Sequence, residues 1–250
     1  MEPSDHPRIG VFLCECGGAI SNTLDMQEMT REIIDHDRVI HIEKYSYLCS
    51  PDTRQKMIGS IKKNELDRVV VAACSPLIYM EEFRDTAAEA GLNRYMVEMA
   101  NVREQCAWIH SEEPKRATDK ATELVRLALA KLEEMNPTPH GRVANVDTEL
   151  CDGCGICRRV CRLGAIEIRS NEDDGKYSFV DPKLCDGCGV CVSSCPSGAM
   201  DMDIFSNREM LAMVNAATEE QDKEELNVLV FDGEADVVAV HPGGFQRPLE

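Results

Sequence analysis

Eight of the thirteen cysteines in this 250-residue chain fall into two runs with one spacing. Cys151, Cys154, Cys157 and Cys161 form C-x2-C-x2-C-x3-C, and Cys185, Cys188, Cys191 and Cys195 repeat it. An odd total suits complete disulfide pairing badly, and the polar start MEPSDHPR has no apolar core of the kind an export signal needs. The thiols therefore read as metal ligands. Three closely spaced thiolates wrap three irons of one four-iron cubane, while the fourth cysteine, leaving along a helix, ligates the neighbouring cluster. The expected sets are Cys151, Cys154, Cys157 with Cys195, and Cys185, Cys188, Cys191 with Cys161. Glycines at 153, 155, 187 and 189 allow positive φ, so that amide hydrogens turn towards the sulfurs and tune the potential. Zinc would need one tetrahedral set and gives no reason for the run to occur twice.

The repetition extends beyond the cysteines. Val146-Asp-Thr-Glu-Leu-Cys-Asp-Gly-Cys-Gly-Ile-Cys realigns 34 residues later as Val180-Asp-Pro-Lys-Leu-Cys-Asp-Gly-Cys-Gly-Val-Cys. The spacing is that of bacterial ferredoxins, and the expectation is an α+β, duplicated, bacterial-type 2[4Fe-4S] ferredoxin domain. One departure stands out: Cys195 is followed by Pro196, but Cys161 by Arg162. With Arg158 and Arg159 this gathers three cations near one cluster of an acidic chain. They either raise that cluster's potential or dock an acidic partner; the plainer alternative is a solvated basic helix.

The elements before this module must place five further cysteines. Arg8–Cys14, Val39–Tyr47 and Arg68–Cys74 are strand-like, while 25–35, 52–63, 79–90, 102–110 and 115–135 have helical spacing. Alternating strands and helices imply an α/β domain with a parallel sheet. Asn136-Pro-Thr-Pro-His-Gly141 ends the last helix, giving domains at 1–140 and 141–218, the second including a packed helix at 205–217. From 219 to 250 the expectation is an acidic linker and short tail, with two strands around Asp232-Gly233.

A net charge of −18 argues against nucleic acid and anionic membrane surfaces and for protein partners with basic patches. No apolar run reaches the ~18 residues of a membrane span, so a soluble cytoplasmic protein is expected. The six histidines form no HExxH grouping, and neither G-x-S-x-G nor a phosphate-binding loop occurs, so no catalytic centre is visible. Met96, Met99, Met210 and Met213 read as core filler, Trp108 as core and His110 as surface.

Cys14 and Cys16 follow the first strand, Cys49 the second, Cys74 ends the third and Cys106 sits in a helix. Open parallel sheets place ligands at the carboxyl ends of their strands, so several of these thiols share one crevice. The segments Arg8-Ile-Gly-Val-Phe-Leu-Cys-Glu-Cys-Gly-Gly, Tyr47-Leu-Cys49, Arg68-Val-Val-Val-Ala-Ala-Cys-Ser-Pro76, Ala90-Gly-Leu-Asn-Arg-Tyr95 and Met99-Ala-Asn-Val-Arg-Glu-Gln-Cys-Ala-Trp-Ile-His110 resemble the A-type subunit of heterodisulfide reductase. The likeness resumes at the cysteine-rich module and the 205–217 helix. It implies a third [4Fe-4S] cluster in the N-terminal domain, on Cys16, Cys49, Cys74 and Cys106 with Cys14 as the alternative ligand. It also implies an electron-transfer subunit that relays single electrons between a flavin, hydrogenase or formate dehydrogenase partner and another Fe-S subunit. The alternative is a free ferredoxin-like carrier whose N-terminal domain only docks proteins. Members of that family carry a flavin domain between the two parts. Here 136–139 pass straight into the module and no strand is followed by G-x-G-x-x-G, so no FAD is expected on this chain.

Overall fold

The structure, a computed structural model, describes residues 7–171, 175–218, 228–231 and 237–240. The N-terminal part is a four-stranded, all-parallel sheet of β1 (Ile9–Cys14), β2 (Val39–Tyr45), β3 (Arg68–Ala73) and β4 (Val97–Asn101), in the order β2-β1-β3-β4. β1 and β3 are buried along their whole length, as expected of central strands covered on both faces. Helices α1 (Met26–Ile34) and α4 (Pro114–Glu134) pack together, as do α2 (Pro51–Lys63) and α3 (Pro76–Ala90). Each start is marked chemically. The Asp25 carboxylate accepts from the amides of Gln27 and Glu28, Ser50 and Ser75 cap α2 and α3, and proline opens α2, α3 and α4.

Two expectations need correction here. The segment Val97–Asn101 did not read as a strand because it carries Glu98 and Asn101, yet it pairs with β3. The Glu98 carboxylate is taken up by the Lys131 ammonium at 2.7 Å, and the apolar members Val97, Met99 and Ala100 are buried. The 102–110 stretch is a π-helix over Arg103–Trp108 rather than an α-helix. Its wider turn sends Cys106 inward and leaves Trp108, expected in the core, 55% exposed.

The cysteine-rich part contains two antiparallel pairs, β5 (Ala144–Val146) with β8 (Met200–Met202) and β6 (Ile166–Ser170) with β7 (Lys176–Val180), and two short helices, α5 (Ile156–Val160) and α6 (Val190–Ser193). Helix α7 (Asn207–Thr218) returns to lie along α4. Met96 and Met99 are core residues, but Met210 on α7 is exposed, because only one side of that helix is covered. Beyond it, β9 (Val228–Phe231) and β10 (Val237–Val240) pair antiparallel, at the expected hairpin; its turn and most of the acidic 219–250 stretch lie outside the described residues.

Contacts tie the module to the sheet. Lys131, 2% exposed, binds Glu98 and lies over the Phe205 ring, while Thr138 Oγ1 donates to Asp203 and Arg208 donates to the Glu134 carbonyl at 2.6 Å. Arg68 donates to the Met135 carbonyl at the end of α4. Removing one partner of a buried ion pair leaves the other unpaired, at a cost of about 3 kcal/mol or more. Lys131→Ala should therefore lower the thermal midpoint in far-UV circular dichroism by several degrees, and Lys131→Met with Glu98→Gln should recover most of the loss.

Candidate metal centres

In the order β2-β1-β3-β4 the chain leaves β1 towards one edge and β3 towards the other. The crevice between the carboxyl ends of β1 and β3 is therefore the switch point at which such sheets bind ligands. Cys14 ends β1, Cys16 begins the 3-10 turn after it, and Cys74 follows β3 directly. Cys49 lies just before α2. Cys16 has φ +50, a left-handed conformation unusual for a residue with a side chain, of the kind that clusters at functional sites.

Several of these thiols are electrostatic neighbours. Burial pushes Cys14 up to about 11, against the amides of Leu48 and Cys16; charge on Cys16 and Cys49 acts on it as well. Cys74 is raised by burial, lowered by Arg103 and raised by Glu104 and Cys16. The Cys49 thiolate, which also accepts a hydrogen bond from Tyr79, raises the pKa of that hydroxyl. Arg103 Nη1 donates to Cys16 Sγ at 3.1 Å, and its guanidinium is fixed by Glu104 at 2.7 Å and by the Trp108 ring at 4.8 Å. Cys14 thus has Cys16 and Cys49 as charged neighbours, and Cys74 has Cys16. Cys106 is fully buried, its thiol pushed up to about 11 by that burial, with Lys120 and Glu123 of α4 as its charged neighbours. Arg103 escaped the sequence reading; a cation one turn before a cysteine was the only signal available.

In the second part, Cys161, Cys185, Cys188 and Cys191 line one cavity together with Ala144, Ala165 and Ile166. On the other side, Cys151 and Cys157 both contact Ser178, whose hydroxyl lies 3.0 Å from Cys157 Sγ and whose amide donates to Cys151 Sγ at 3.4 Å. The Ala165 amide donates to Cys161 Sγ at 3.4 Å. Amides of Met200, Ser197 and Ala199 and the Ser197 hydroxyl outweigh the burial of Cys195 and hold its thiol below the usual range. Amide hydrogens facing sulfur are the surroundings that thiolates on an iron–sulfur core require, so the residues fit such a group. Among the described residues no three His, Cys, Asp or Glu side chains converge on one ion position. A cubane asks for a wider set, because each thiolate binds a different iron.

Residues 150–199 match a family model described as a 4Fe-4S dicluster domain. The chain is 41% identical over 152 residues to the second iron-sulfur A-type subunit of the CoB–CoM heterodisulfide reductase of Methanopyrus kandleri, a match covering 61% of this chain and 23% of that protein. It is 39% identical over 155 residues to the A-type subunit of the H(2):CoB-CoM heterodisulfide,ferredoxin reductase of Methanothermobacter thermautotrophicus, covering 62% and 24%. The A-type subunit of the ferredoxin/F(420)H(2)-dependent CoB-CoM heterodisulfide reductase of Methanosarcina acetivorans is 41% identical over 142 residues, covering 56% and 18%. Most of this chain is similar to the A-type subunit of heterodisulfide reductase. The match spans a quarter or less of the length of these relatives. No helix among the described residues is long and apolar enough to cross a membrane.

The glycines of the cysteine loops separate two effects. Gly153 (φ +66) faces Lys176, whose backbone a Cβ would strike, whereas Gly189 (φ +76) has open space around it. Alanine at 189 meets only left-handed strain, about 1–2 kcal/mol. Gly189→Ala should keep its iron with a modest loss of stability, and Gly153→Ala should be purified with clearly less iron per chain.

Proposed function

We propose that this chain is an iron–sulfur electron-transfer subunit of a heterodisulfide-reductase-like oxidoreductase. It relays single electrons between a flavin, hydrogenase or formate dehydrogenase partner and another Fe-S protein. The observation that carries this reading is the four-cysteine run, present twice within the region that matches a 4Fe-4S dicluster domain. Residues 1–140 form the α/β domain, 141–218 a duplicated two-cluster ferredoxin domain with its helix, and 219–250 a tail.

One cluster is held by Cys151, Cys154, Cys157 and Cys195, the other by Cys185, Cys188, Cys191 and Cys161. The cavity shared by Cys161 with the second run supports this exchange of fourth ligands. A third centre lies at the sheet edge on Cys16, Cys49 and Cys74. Cys106 completes it, with Cys14 as the alternative ligand: Cys14 has Cys16 and Cys49 as charged neighbours, and Cys106 has Lys120 and Glu123. When bound, such clusters supply one-electron steps at potentials set by net charge, hydrogen bonds to sulfur and exposure. Arg103 and the amides of Ser178 and Ala165 offset negative charge at the sulfurs, which favours the reduced state. In this reading bond-making chemistry and flavin are assigned to partner subunits.

Stopped-flow mixing of the dithionite-reduced chain with oxidised cytochrome c, and separately with NAD+, tests the relay. One-electron reduction of the cytochrome with no NADH formed is the expected result. Hydride transfer to NAD+ by the isolated chain would overturn it.

A further inference from the structure

The stretch after β4 winds as a π-helix over Arg103–Trp108, and that decides which of its side chains stand above one another. In an α-helix, at about 3.6 residues per turn, residues five apart lie about 140° apart around the axis. In a π-helix the i→i+5 bond brings them nearly into line. Arg103 and Trp108 are five apart, and the guanidinium lies over the indole ring at 4.8 Å. The wider turn creates this stack, and such turns recur at functional sites. Trp108 stays 55% exposed because its ring covers Arg103 rather than the core.

The stack holds a cation on a sulfur. Arg103 Nη1 donates to Cys16 Sγ at 3.1 Å, while its Nη2 and Nε donate to Glu104 at 2.7 and 3.2 Å. The Glu104 amide is in turn anchored on Asn101 Oδ1 at the end of β4. At Cys74, where both charges act, Arg103 has the larger effect. Cys49, like Cys16 only partly buried, accepts from the Tyr79 hydroxyl. Sulfurs of the second part take neutral donors: Ser178 serves Cys151 and Cys157, and the Ala165 amide serves Cys161. Arg162 is turned to Asp186 at 3.1 Å. A hydrogen bond from a charged donor is roughly twice as strong as a neutral one. Because reduction adds negative charge, positive charge and hydrogen bonds at the sulfurs raise a cluster's potential.

We propose that this π-helical clamp gives the sheet-edge centre the highest potential of the three, with Arg103 on Cys16 and Tyr79 on Cys49 setting it and Trp108 positioning Arg103. The proposal rests on the relay reading and adds the direction of flow: an electron that enters at the cysteine-rich module comes to rest at the sheet edge. In that step one module centre is oxidised as the sheet-edge centre is reduced; no bond forms and no proton moves. Cys16 and Cys49 belong to the centre whichever of Cys106 and Cys14 completes it.

Potentiometric titration of the anaerobically purified full chain, followed by paramagnetic resonance and paired with an iron count, tests the clamp. Arg103→Gln should lower the highest midpoint alone, by about tenfold in the ratio of reduced to oxidised centre, or ~59 mV for one electron. Tyr79→Phe and Trp108→Leu should lower the same midpoint by less. Trp108→Phe, which keeps a ring over the guanidinium, should hold the parent value. If Arg103→Gln is purified with less iron, Trp108→Leu against Trp108→Phe carries the same test with the guanidinium in place. An unmoved midpoint, an equal shift of all signals, or a shift confined to a signal that is not the highest would overturn the clamp. About eight irons per parent chain, the content of two four-iron clusters, would instead contradict the sheet-edge centre on which the clamp rests.

Discussion

A four-iron cubane asks for four thiolates at separated corners, all with backbone amides turned towards sulfur and away from water. A short loop can supply three of them only if its backbone enters left-handed conformations, and the fourth must come from elsewhere. Much of the second part of this chain follows from that constraint. Gly153, Gly155, Gly187 and Gly189 all have positive φ. β7 lies close enough to the first loop that Ser178 serves both Cys151 and Cys157. The residue after the fourth cysteine is free to vary, and there the two runs part company as Arg162 and Pro196.

The N-terminal domain brings its cysteines towards one edge with a different scaffold. A parallel sheet brings distant segments to one edge without a dedicated loop, and the order β2-β1-β3-β4 opens a crevice beside β1 and β3. Cysteines 14, 16, 49 and 74 come from three separate strand ends, which is why no compact spacing links them in the sequence. The left-handed Cys16 and the partly buried guanidinium of Arg103 act together there: the first turns the thiol out of the strand direction, and the second meets it with positive charge. The α4–α7 contact, Lys131 against Glu98 and Phe205, and the Thr138–Asp203 hydrogen bond then hold the two parts as neighbours. Fixed separation matters for a relay, because transfer between centres depends on their spacing.

Legibility in the sequence tracked how local the determinants were. β1, β3 and the helices α1 to α4 were visible from apolar runs and period, because those signals reside in neighbouring residues. The two four-cysteine runs were equally visible, since their geometry is written into a spacing. β4 was not, because Glu98 is made tolerable only by Lys131, thirty-three residues on. Trp108 was misread for a similar reason: a π-helix alters which residues face inward, and periodicity assumes a regular α-helix. The choice between Cys14 and Cys106 lay beyond spacing altogether, because spacing does not say which thiols become neighbours in space.

The most direct measurement is iron, acid-labile sulfide and zinc on anaerobically purified protein, with paramagnetic resonance of the reduced sample. About twelve iron and twelve sulfide per chain are expected from three four-iron clusters. Eight of each would contradict the centre at the sheet edge, and zinc without sulfide would contradict the electron relay itself.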